Sequence, residues 1–249
     1  MRAMIIPDAV HALDRELRGI FGARMQSLSI SGARPRAAAQ AHGAPASHGH
    51  DGPPTQTLAV VDSVTQEDLR GCAGHVQAWH DAGLATPLLI AAREFERSLD
   101  AFPLEFGAIL ADHVVVSGGN PFATLAVDAA DVRRACEVQA RSHLLHLREG
   151  FLETRGRDDA LALLIVQSAG AFAALVSSIA RLEGHTSTDA AAAARHVERI
   201  LNLPGGPITE VTKLVGVHEI TSAEAGRLFP SYLDAVEHLV NHVDGWSAR

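Results

Sequence analysis

Between Asp159 and Arg181 the chain runs for 21 residues, Ala160 to Ala180, without a charged side chain. Strands are much shorter than this, so the run reads as one helix. Its length would also span a bilayer. However, Gln167, Ser168, Ser177 and Ser178 interrupt it, and many of its apolar residues are alanine. The central helix of a bundle, covered on all sides by neighbours, has this composition, and that is the expectation here. Helical stripes flank it. Val132, Cys136, Ala140, Leu144, Leu147 and Phe151 recur at steps of three or four. Thr188 and Asp189 open an alanine-rich helix that Pro204-Gly205-Gly206-Pro207 stops. A short helix follows near residues 209–215. Thr221 and Glu224 form a capping box for the last element, which Pro230 should kink or split.

The first half has a different rhythm. Pro7-Asp8 opens a helix with Val10, Leu13, Leu17 and Ile20 on one face, and Gly22 ends it. Ser27 to Ser31 alternates polar and apolar, as a half-buried strand does. Residues 57–62 form a second strand. Thr65 and Asp68 cap a helix with Leu69, Cys72, Val76 and Trp79 on its apolar face. Residues 87–90 read as a short buried strand, 93–99 and 103–110 as short helices, and 113–116 as a last strand ended by Gly118-Gly119. Residues 37–54 are almost entirely alanine, glycine, proline, histidine and serine, a composition that forms no core and predicts a flexible loop. The fold class is therefore α+β, with a small mixed sheet in residues 1–125 and an α-helical bundle in residues 126–249.

Composition narrows the function classes. Net charge is −8, which disfavours nonspecific nucleic-acid binding. Lys213 is the only lysine, so arginine carries the positive charge. Cys72 and Cys136 each sit among apolar residues at helical spacing and are expected to be buried free thiols. They make neither a zinc pattern nor a disulfide framework. The first residues lack the apolar core of a signal peptide, so a cytoplasmic protein with no membrane partner is expected.

Two stretches resemble a known family. Leu28-Ser29-Ile30-Ser31-Gly32-Ala33-Arg34-Pro35-Arg36 is similar to the strand and Gly-Ser turn of the DNA polymerase β-like nucleotidyltransferase superfamily, small bacterial branch. Thr55-Gln56-Thr57-Leu58-Ala59-Val60-Val61 is similar to its carboxylate strand. Phe102 to Phe106, His113 to Gly118, Cys136-Glu137 and Leu144 to Leu152 also resemble segments of its members. The resemblance implies a nucleotidyltransferase-like domain followed by a bundle. It also implies a metal site on the strand, because two acids at i and i+2 point to one face and can share a metal cluster.

Here those places hold Thr55 and Thr57, and Ala33 stands where the family has serine. Threonine is a poor magnesium ligand. Asp62 falls on the other face of the strand from Thr57, Ala59 and Val61. The family's third acid lies on a later strand, and Leu88-Leu89-Ile90 offers none. Glu94, Glu105 and Asp112 read as surface or capping residues. The expectation is thus a degenerate, catalytically inactive relative, a pseudoenzyme with no cofactor, acting by binding a protein, a second copy of itself or a nucleotide. The residues left for such a nucleotide site are Gly32, Ala33, Arg34, Arg36, Thr55 and Thr57. Backbone amides after Gly32 would form an anion nest, against the simpler reading of an ordinary turn followed by solvated arginines. The alternative is an active metal-dependent enzyme using Mg²⁺ and a nucleoside triphosphate, with carboxylates relocated to Asp51 and Glu105. His42, His48, His50 and Asp51 are weak candidates for a transition metal, since they lie on a loop without an evident second shell.

Overall fold

The structure is a computed structural model that describes residues 6–31, 54–187 and 189–246. It divides into two compact units, Met1–Val127 and Asp128–Arg249.

The first unit is built on four strands, β1 (Met25–Ser31), β2 (Gln56–Val61), β3 (Leu88–Ala91) and β4 (His113–Gly118). Their order is β3-β2-β1-β4. β1 is antiparallel to both β2 and β4, while β2 and β3 are parallel, so the sheet is mixed. Parallel pairing needs a crossover. Here α2 (Gln66–Ala73) and α3 (Val76–Asp81) supply it. One face of the sheet, with Leu28, Ile30, Ala59 and Val61, packs on Cys72, Trp79 and helix α1 (Asp8–Phe21) through Val10, Leu13 and Leu17. The other face, with Leu58, Val60 and Ile90, packs on Phe95 of α4 (Ala92–Ser98), Phe106 of α5 (Pro103–Ala111) and Phe122. Phe95 meets Phe106 and Phe122 edge-on, at 4.9 and 5.6 Å between ring centroids.

Because helices cover both faces, β1 is not half-buried. Ser27 and Ser29 are each 1% exposed. The helix expected to carry Leu69, Cys72, Val76 and Trp79 is two helices, broken at Gly74-His75, where glycine weakens the helix. Leu69 is 50% exposed. The inward place goes to the buried Asp68, which accepts from both Nη1 and Nη2 of Arg24 at 2.8 and 2.7 Å. That paired guanidinium, followed by the Thr65 hydrogen bonds, holds the Asp68 carboxyl well below the usual carboxylate range, against the opposing effect of burial.

The second unit contains α6 (Ala129–Thr154), α7 (Asp158–Leu182), α8 (Ala190–Leu201), α9 (Pro207–Thr212) and α10 (Ser222–Asp244). Helix α7 is the central one and packs against the other four. It is long and apolar enough to cross a membrane, but Ile165, Phe172, Leu175, Val176 and Ile179 are buried within the bundle. It is not covered all round, however. Leu163 is 53% exposed, and Gln167, Gly170, Ala171 and Ala174 are also exposed.

Tyr232 in the bundle core shares hydrogen bonds with His143 Nε2 at 2.6 Å and Ser168 Oγ at 3.0 Å. Helix α10 runs unbroken through Pro230. Cys72 and Cys136 are free and buried, and burial pushes the Cys136 thiol up to about 12.

Candidate functional site

Chemistry in the first unit has to be sought at the end of the sheet where β1 finishes. Its last residue, Ser31, lies between Gln56 of β2 and His113 of β4. One step beyond that row stand Thr55, before β2, and Asp112, before β4. Thr55 continues the sheet, pairing across Leu84 through Thr55 N–H to Gly83 O and Ala85 N–H to Thr55 O, both 2.9 Å.

Thr57 pairs with Ile30, and strand alternation places it on the same face as Ala59 and Val61. It is 4% exposed, and its hydroxyl has no hydrogen-bond partner among the described residues. A buried hydroxyl without a partner is unusual, because leaving one unmade costs about 1–3 kcal/mol.

Asp112 is 6% exposed and follows α5 directly. His113 lies on the opposite face. Its ring packs edge-on to Phe122 at 4.4 Å, and its Nδ1 reaches Ile109 O and Leu110 O at 3.1 and 3.2 Å. Asp112 directly precedes β4, as Thr55 precedes β2. A buried carboxylate thus shares the row of Thr55, from the far side of β1. Asp112 is the C-cap residue of α5, its N–H donating to Ala108 O at 3.1 Å, but it is buried and not on the surface. The signal that finds it is strand register, which links residues 55 and 112 only once β1 is placed between them.

The other acids are elsewhere. Glu105 is exposed in the first turn of α5, which packs on the face opposite to Thr57. Glu94 accepts from Ala91 N–H at 3.2 Å and so caps α4. Asp62 is exposed and accepts from Gln26 Nε2. Gly32, Ala33, Arg34, Arg36, His42, His48, His50 and Asp51 lie outside the described residues.

Among the described residues no group of three or more His, Cys, Asp or Glu side chains could hold a metal. The strand pair contributes two neutral hydroxyls, whereas magnesium at phosphates is held through one or two carboxylates. A metal cluster does not fit on Thr55 and Thr57.

No protein-family model and no curated protein sequence matches the chain. Among solved structures, the chain is similar to spectinomycin adenyltransferase AAD(9) from Enterococcus faecialis, solved with ATP and spectinomycin. The TM-score is 0.56 at 11% identity, over 95% of this chain and 98% of that one. This likeness overturns the expectation of a catalytically inactive protein acting by binding. That expectation rested on two threonines. The architecture around them, over nearly the whole chain, is that of an adenyltransferase solved with ATP. The chain therefore has a nucleotidyltransferase-like fold, a mixed four-stranded sheet with its helices followed by a helical bundle.

Proposed function

We propose that the protein is an active nucleotidyltransferase whose essential carboxylates have moved off the strand pair. The observation that carries this proposal is the likeness, across both units, to an adenyltransferase solved with ATP. In such a transfer an acceptor oxygen bonds to the α-phosphorus of a nucleoside triphosphate, the bond to the leaving pyrophosphate breaks, and the acceptor gives up a proton. A carboxylate beside the phosphates is the natural proton acceptor. Of the described acids, Asp112 is the one that register brings to the row of Thr55. Asp51 stands four residues before Thr55 in the sequence and is the second candidate. Glu105, also expected from the sequence, is exposed on a helix that covers the other face, and we assign it no role. Thr55 and Thr57 line the triphosphate side. A nucleoside triphosphate donor places the work in the cytoplasm.

The test is transfer from triphosphates labelled at the α-phosphate, with Mg²⁺ present and spectinomycin, the neighbour's ligand, as the first acceptor probe. Asp112→Asn should slow transfer by about 100-fold or more, the scale of a lost acid–base group. Asp51→Ala should also reduce it, and Glu105→Ala should leave it unchanged. Full activity in both Asp112→Asn and Asp51→Ala would sink the relocation.

A further inference from the structure

Helix α7, uncharged from Ala160 to Ala180, leaves one face uncovered, and that face has an internal symmetry. Leu163, Gln167, Gly170 and Ala174 are exposed along it, and Val166 and Ser177 are half-buried beside them. Asp159 and Arg181 bound the face, and each lies eleven residues from Gly170. Eleven residues is close to three helical turns, so all three project from one side.

Two details are unexplained within the chain. Glycine in a helix interior weakens the helix relative to alanine. Yet a Cβ at Gly170 would meet nothing within 4 Å among the described residues, so no packing inside the chain requires glycine there. Arg181 is half-buried, and its guanidinium donates to Ser178 Oγ at 2.9 Å, with no carboxylate in ion-pair range among the described residues. Burial lowers its proton affinity, which the nearby Cys136 of α6 opposes and a carboxylate counter-charge would restore further. Asp159, at the other end, is exposed and in no ion pair among the described residues.

We propose that α7 pairs antiparallel with α7 of a second copy of this chain, about a two-fold axis at Gly170. The two-fold sets Asp159 against the partner's Arg181 at each end of the seam. It sets Leu163 against the partner's Ser177 and Val166 against the partner's Ala174. Gly170 faces the partner's Gly170 at the crossing, where small residues let two helices approach closely. The pairing is isologous, so one patch serves both copies, and the helix dipoles oppose favourably. A 25-residue helix is about 37 Å long, so the seam can run the length of the element. Charge favours a second copy over a lipid surface, because surface-lying helices are typically basic along their polar flanks, and this face carries one acid and one base.

Light scattering on the eluting full-length protein tests this. The expected mass is twice 26.3 kDa at about 100 µM, falling to the single-chain value on dilution. Gly170→Leu should abolish the dimer with the helical circular dichroism unchanged. Asp159→Arg should weaken association by about tenfold, and the doubly swapped Asp159→Arg/Arg181→Asp protein should recover it. Because Cys72 and Cys136 are buried, Gly170→Cys should form a disulfide-linked dimer on mild oxidation, which Leu152→Cys, on α6, should not. A wild-type chain that stays monomeric, a dimer indifferent to Gly170→Leu, or flotation of the wild-type chain with phosphatidylcholine vesicles would each overturn the proposal.

Discussion

The sheet and the bundle differ in how fully they match buried polar side chains, since of the strand hydroxyls buried in the sheet only Ser29 Oγ, donating to Leu58 O at 3.4 Å, has a partner among the described residues. In the bundle the deeply buried ones are matched. His143, Tyr232 and Ser168 are joined in one network, and Glu198 accepts from both the N–H and the hydroxyl of Thr209 at 2.7 and 2.8 Å. The unmatched ring nitrogens there, His185 Nε2 and His196 Nε2, belong to half-buried residues. In the sheet, Ser27 and Thr57 are buried within strands, and neither hydroxyl has a partner among the described residues. A matched polar group serves the fold, whereas an unmatched one costs stability. Thr57 is unmatched at a position where the resembled family places a metal-binding acid.

The contrast can be broken from either side. The largest effect is expected in the bundle core, where Tyr232→Ala removes a fully buried ring and strands two partners. It should lower stability by about 4 kcal/mol, read by urea denaturation. Next comes pH. Burial, helped by the nearby His146, lowers the His143 imidazole from 6.5 to about 4. The folded state keeps it neutral, while the unfolded chain binds a proton below 6.5. Its contribution is therefore complete above pH 6.5 and is lost as pH falls toward about 4, amounting to roughly 3 kcal/mol. Denaturation midpoints across that range should show the slope, and His143→Gln should flatten it. Glu198→Ala should cost about 2 kcal/mol by leaving Thr209 unpaired. Thr57→Val should go the other way, raising sheet stability by up to about 1 kcal/mol because the hydroxyl it removes has no partner among the described residues. If Thr57→Val instead destabilised the protein as Glu198→Ala does, the contrast would be void.

What the sequence revealed was local. The capping boxes at Thr65–Asp68 and Thr221–Glu224 are formed, because their partners are three residues apart and need no tertiary context. The strands, the long helices and the α+β class were legible from periodicity. The burial of Asp112 was not. It depends on β1 standing between β2 and β4, a register that no local pattern encodes. Leu69 was misplaced for a similar reason, since a distant arginine, Arg24, draws Asp68 inward. Pro230 was expected to break α10, but one missing hydrogen bond is outweighed when Leu228, Phe229, Tyr232 and Val236 are all buried around it. The expectation of inactivity erred in the same direction. It weighed two threonines on one strand, whereas the likeness to an adenyltransferase extends over nearly the whole chain.

Everything turns on whether the sheet end works on a nucleotide. The most direct measurement is pyrophosphate release by the purified full-length chain from ATP, GTP, CTP and UTP with Mg²⁺ and acceptor, comparing wild type with Asp112→Asn. We predict release by the wild type with at least one triphosphate and a drop of about 100-fold or more in the variant. No release above background from any triphosphate, or release unchanged by Asp112→Asn, would contradict it.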